Sequence, residues 1–158
     1  MNLKSATALQ HYSDEFLRDI LGNARTIAVA DVSPKPVRPS HAIFLYLLAS
    51  GFDVFPVNPG QAGTTIAGRE VYARLDDIPV PIDLVDLFKR PADVGRVVDQ
   101  ALALPVKPKT IWMQLDIRDD EAAARAERAG LRVVMDRCSK VEHARLFGWH
   151  GRGRPLDD

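Results

Sequence analysis

Four side chains with phosphate-binding chemistry sit within eight residues of this sequence: Ser33, Lys35, Arg38 and Ser40, in the run Ser33-Pro-Lys-Pro-Val-Arg-Pro-Ser40. Two hydroxyls and two cations offer hydrogen bonds and charge to an anion, and Pro34, Pro36 and Pro39 stiffen the loop that carries them. The apolar stretch Thr26-Ile-Ala-Val-Ala30 precedes the loop, and His41 to Ser50 follows it. This reads as a buried strand, a basic loop, and a helix that Ser40 is expected to cap. A strand leading through a loop to a helix start leaves main-chain N–H groups and the positive end of the helix dipole at one place. Such a corner suits phosphate.

Other chemistry is sparser. Cys138 and His143 lie five residues apart across a strand-to-helix turn and raise the question of a nucleophile and its base. The simpler reading is a small core cysteine and a helical histidine beside Glu142. His11, His41 and His150 show no metal-ligand spacing, and His41 is most simply a first-turn residue. A single cysteine excludes an internal disulfide framework and fits a reducing, cytoplasmic setting.

The elements that must hold these residues follow from the rest of the chain. Its 158 residues give room for one domain over 1–158 with a sizeable core. Twenty-one acidic and twenty-one basic side chains cancel, which gives no basis for a nucleic-acid or anionic-membrane partner. No apolar run approaches spanning length. Ser13 is expected to cap a first helix over about 13–21, with Gly22 ending it. Strands are expected at Ile27 to Ala30, Asp53 to Val57, Ile82 to Phe88, Thr110 to Leu115 and Leu131 to Met135. Glu70-Val71-Tyr72 suggests a short edge strand after the turn-rich, mobile stretch Gln61 to Gly68. Helices follow from Pro91, with Val94, Val97, Val98, Ala101 and Leu102 on one face, and from Asp119 to a stop at Gly130. Ser139 is expected to cap the last helix, ending near Phe147, and the tail from about 149 is expected to fray. The helix from His41 is apolar almost all round, so either the first helix or a second copy in a homodimer is expected to cover it.

Strands alternating with helices imply right-handed crossovers and a mostly parallel sheet with helices on both faces, a doubly wound, Rossmann-like α/β fold. Ligands in such sheets bind beyond the carboxyl ends of the strands. Asn58 and Pro59, Lys89 and Arg90, Gln114 and Asp116, and Asp136 to Cys138 all lead there. The dinucleotide fingerprint is absent: prolines stand where it needs glycines, and the second strand ends in Asn58-Pro59 rather than an acid. No Walker lysine motif occurs either.

The loop, together with Val57-Asn-Pro59, Asp83-Leu-Val-Asp-Leu-Phe88, Trp112-Met-Gln-Leu115 and Met135-Asp-Arg-Cys138 up to Glu142-His143, resembles the small stand-alone CoA-binding proteins. These are similar to the N-terminal CoA-binding domain of succinyl-CoA synthetase α-chains and ADP-forming acyl-CoA synthetases. The resemblance implies a sheet of five to six strands in the order 3-2-1-4-5-6, with Val71-Tyr72 as the third. It implies CoA or acyl-CoA as ligand: Ser33, Pro34, Lys35, Arg38, Pro39 and Ser40 at the phosphates, and Asn58 and Pro59 beside the adenosine half. Phe88, Lys89 and Arg90 would stand on the adenine side and Gln114 on the pantetheine path. Apart from the resemblance, Cys138 is flanked by Arg137 and Lys140 close to a helix start, which favours the thiolate. A crevice-facing thiol there is expected to form a mixed disulfide with that of CoA on exposure to CoA disulfide. Asp31 and Asp116 stand where such proteins usually have glycine; each adds a negative charge beside the phosphates, which costs affinity unless a cation intervenes. Asp31 is expected to pair with Arg38 or Lys35 and to reduce or alter the affinity for CoA. The expected function is a non-catalytic carrier or sensor of CoA. The alternatives are a thioester enzyme using Cys138 and a scaffold that kept the fold and lost the ligand.

Overall fold

The computed structural model describes residues 11–148, so the tail from Trp149, including His150, lies outside the described residues. Helix α1 (Asp14–Asn23) starts under Ser13, whose Oγ accepts from the Phe16 N–H at 3.1 Å. It runs past Gly22 because the Ala24 N–H still reaches Ile20 O and the Asn23 side chain donates to Asp19 O, so no left-handed glycine is needed to end it.

Five strands follow: β1 (Thr26–Ala30), β2 (Asp53–Val57), β5 (Leu84–Leu87), β6 (Thr110–Met113) and β7 (Arg132–Val134). They pair in parallel in the order β2-β1-β5-β6-β7. The expected third strand contracts to one bridge, Tyr72 beside Val57, at the β2 edge. Between them the turn-rich stretch folds as a hairpin, β3 (Thr65–Ile66) and β4 (Arg69–Glu70), whose two turn residues, Ala67 and Gly68, both have positive φ. That is the backbone a tight two-residue hairpin demands.

Each strand alternates its side chains between two apolar layers, which is why the strands read as continuous apolar runs. Ile27, Val29, Val54, Leu84, Trp112 and Val134 face a layer with Leu17, Ile20 and Leu21 of α1 and with α2 (Pro39–Ala49), which contributes Ile43, Phe44 and Leu47. Ala28, Val85, Leu87, Ile111 and Met113 face the opposite layer, built by α3 (Pro91–Leu102) and α4 (Asp120–Arg128). Val94, Val97, Val98 and Ala101 of α3 are buried there, and Ala122, Ala123 and Ala126 let α4 approach closely. The helix α5 (Ser139–Phe147) returns to the first layer.

Two caps differ from expectation. Helix α2 begins at Pro39, with Arg38 as an N-cap that makes no side-chain cap bond, and Ser40 lies inside the first turn. Ser139 is likewise the first residue of α5, behind Cys138. Both serines turn inward instead, to partners that lie far from the helix start in sequence or beyond a loop. The neighbour of α2 is α5 rather than α1: the Tyr46 hydroxyl and His143 Nδ1 lie 2.7 Å apart. The outer side of α2, with Ala42, Leu45 and Ala49, remains exposed.

Candidate ligand-binding cleft

At the carboxyl end of β1 the chain turns sharply. Asp31 adopts φ 73°, and its N–H donates to Val57 O at 2.7 Å. Asn58, just past β2, donates from Nδ2 to Val32 O at 2.8 Å and accepts the Gly60 N–H at 2.9 Å, tying the loops after β1 and β2 together. The first turn of α2 then grips Ser33 at both ends of its backbone. Ser40 Oγ accepts the Ser33 N–H at 3.0 Å, and His41 Nδ1 lies 2.9 Å from Ser33 O. Because a carbonyl only accepts, His41 Nδ1 carries the hydrogen. The Lys35 N–H donates to Ser33 Oγ and the Arg38 N–H to Lys35 O, each at 3.0 Å.

These bonds change the character of the expected anion cradle. The main-chain N–H groups of Ser33, Lys35, Arg38 and His41 are already engaged inside the loop and helix start. The three prolines have none to give. Fewer main-chain donors are thus left for an anion, and more of its contact falls to side chains. Ser33 and Ser40 each accept from main chain, which leaves each hydroxyl hydrogen for a ligand. Lys35 and Arg38 make no ion pair among the described residues.

The result is an open cleft of about 500 Å³ lined by Asp31, Ser33, Pro34, Lys35, Arg38, Pro39, Ser40, Asn58 and Phe88. Eight residues expected at a ligand therefore share one wall system. A second cleft of about 300 Å³ adjoins it at Asp31 and holds Pro59 and Lys89 together with Arg96, Val97 and Gln100 of α3. The cation facing Asp31 is Lys89, at 3.9 Å, rather than Lys35 or Arg38. Arg90, the N-cap of α3, lines neither cleft and pairs with Asp93 at 3.2 Å.

Gln114 and Cys138 lie outside both clefts. Gln114 is 3% exposed, and its Nε2 donates to Asp86 Oδ1 at 2.5 Å and to Ser139 Oγ at 2.7 Å. Ser139 Oγ in turn donates to Asp86 Oδ2 at 2.8 Å. Asp86 is wholly buried on β5, between Val29 of β1 and Trp112 of β6. Burial pushes its carboxyl up to about 6, against the pull of the Gln114 and Ser139 hydrogen bonds. The ring of three side chains ties β5 and the loop after β6 to the start of α5, directly behind Cys138. Its one signal in the sequence is an acid inside an otherwise apolar strand.

Cys138 is half-buried, while His143 is fully buried among the rings of Tyr46, Phe52 and Phe147. Asp116 and Asp136 both have positive φ, and Asp136 Oδ1 accepts the Asp116 N–H at 2.7 Å. No helix of the described residues is long and apolar enough to cross a membrane.

Comparison with known proteins places this arrangement. Residues 25–144 match the family described as CoA binding domain. The uncharacterized protein YneT of Bacillus subtilis is 30% identical over 136 residues, which is 86% of this chain and 98% of that protein. A protein of known structure from Thermus thermophilus is 40% identical, with a TM-score of 0.81 over 86% of this chain and all of its own. The dinucleotide forming acetyl-coenzyme A synthetase 1 of Ca. Korarchaeum cryptofilum shares the fold, at 23% identity and a TM-score of 0.62, over 74% of this chain and 26% of that one.

Proposed function

The chain belongs to the CoA-binding domain family, and on that premise we propose that it binds CoA or acyl-CoA as a non-catalytic carrier or sensor. The observation that carries the reading is the cleft at the first crossover, where Lys35 and Arg38 stand without ion-pair partners among the described residues beside the Ser33 and Ser40 hydroxyls. CoA brings a pyrophosphate and a 3′-phosphate, and charge-assisted contacts to such groups are strong. The adenosine half belongs beside Asn58 and Pro59, with Phe88 and Lys89 as walls, while Arg90 stays paired with Asp93 outside both clefts. The pantetheine arm runs along the carboxyl ends of β5 and β6 towards Gln114 and Cys138. Gln114 lies buried behind that path, its amide already bound to Asp86 and Ser139.

Pro34 and Pro39 hold the loop open without donating. The internal bonds of the loop mean that little ordering remains for the ligand to impose, which favours affinity. Isothermal titration with CoA, acetyl-CoA and NAD tests the reading. Heat with CoA and its thioester but not with NAD is the expected result, and no heat with any of the three ends it. Lys35→Ala and Arg38→Ala are each expected to weaken CoA about tenfold and to flatten the salt dependence of binding.

A further inference from the structure

Asp31 stands where the two clefts meet and lines both of them. Its left-handed backbone, φ 73°, is one that glycine adopts freely and aspartate less so. The carboxylate therefore occupies a costly position in the middle of a cationic rim. Its side chain is 43% exposed, and Lys89, 3.9 Å away, is 20% exposed. The other cations of the second cleft are already taken: Arg96 pairs with Asp93 and Arg74 with Asp76. Asp76 and Asp93 do not line that cleft, whereas Asp31 does, so Lys89 is the cation whose partner shares the cleft with a ligand. On the other side of Asp31, Lys35 and Arg38 face the first cleft without ion-pair partners among the described residues.

We propose that Asp31 sets the affinity and the placement of the phosphates: its carboxylate competes with them for Lys89 and steers them by repulsion towards Lys35 and Arg38. This inference rests on the reading of the ligand as CoA. A cleft of about 500 Å³ is roughly 10 Å across, so a phosphate anywhere inside it lies within about one Debye length of Asp31. At such distances one unit of like charge changes affinity roughly three- to tenfold in a partly solvated site. In the free protein the Asp31–Lys89 pair neutralises the rim between the clefts. When ligand binds, Lys89 exchanges a carboxylate for a phosphate oxygen, with no change in covalent bonding. A ligand whose phosphate must sit at the tip of β1 meets the carboxylate directly and is disfavoured.

The test compares the whole protein with Asp31→Asn and Asp31→Gly, each titrated with CoA at low salt and at about 0.5 M salt. Asn removes the charge and keeps the size, and both residues accept a left-handed backbone, so folding is expected to survive, as a thermal melt verifies. Both variants are expected to bind CoA roughly three- to tenfold more tightly at low salt, with the gain shrinking at high salt. If the wild-type protein binds CoA and both variants bind it equally or more weakly, the role given to Asp31 is overturned and the CoA reading stands. A gain confined to Asp31→Gly, or one indifferent to salt, also overturns it, because bulk and not charge is then responsible. Absence of binding by all three proteins removes the CoA reading, and this inference with it.

Discussion

At the scale of single residues, the cleft is governed by which polar groups are already spent. Ser33 is held by Ser40 at its N–H and by His41 at its carbonyl, and those bonds aim its hydroxyl and the following Lys35. The donor on His41 is Nδ1, which the amide nitrogen of asparagine can mimic. His41→Phe is therefore expected to speed amide exchange at Lys35 and weaken CoA about three- to tenfold, the worth of one hydrogen bond. His41→Asn is expected to restore both. Equal exchange in all three proteins would show that the clamp does not order the loop. The four cleft side chains were legible in the sequence because charge and hydroxyl chemistry is local. The clamp was not, since Ser40 at a helix start has the same appearance whether it caps its own helix or reaches back to Ser33.

Between elements, the buried Asp86 ring joins β5, the loop after β6 and α5. Desolvation raises the folded carboxyl from 3.8 to about 6, so the folded state holds its proton more tightly than the unfolded chain does. The stability that follows is fully present below about pH 4 and is lost as pH rises through 6. The loss is roughly 2–4 kcal/mol by linkage, with full ionisation above about pH 7. Asp86→Asn is expected to remove this part of the pH dependence in denaturant melts at pH 4.5 and 7.5; an unchanged difference between the two pH values would contradict it. Sequence periodicity located β5 within two residues at one end and one at the other. It could not say which of its faces an acid would occupy, or that Gln114 and Ser139, 28 and 53 residues on, would meet it.

For the molecule as a whole, the two apolar layers fix the sheet, and the sheet brings the loops together. Trp112, wholly buried at the centre of the first layer, donates from Nε1 to Arg137 O at 2.8 Å. Its removal leaves a cavity and takes away the donor that Arg137 O accepts from. Trp112→Ala is expected to cost about 3–5 kcal/mol in denaturant unfolding, and a loss below 1 kcal/mol would contradict its placement. Ligand binding is a property at the same scale. CoA at a hundred times its dissociation constant is expected to add about 2.7 kcal/mol, which for a chain of this size is roughly 5–10 °C in Tm. The shift is expected to be nearly absent in the Lys35→Ala, Arg38→Ala double variant, and an equal shift there would move the site elsewhere.

Sequence alone determined the alternation of strands and helices, the parallel sheet and the basic loop at its first crossover. Those depend on periodicity, on turn residues and on chemistry confined to a few neighbouring positions. Tertiary structure decided the partners: Lys89 and not Arg38 for Asp31, Ser33 for Ser40, Asp86 for Ser139, and α5 rather than α1 beside α2. Each of these contacts depends on the distance and direction between segments that only the packed sheet brings within a hydrogen bond of one another. A chain read in order carries no measure of that distance.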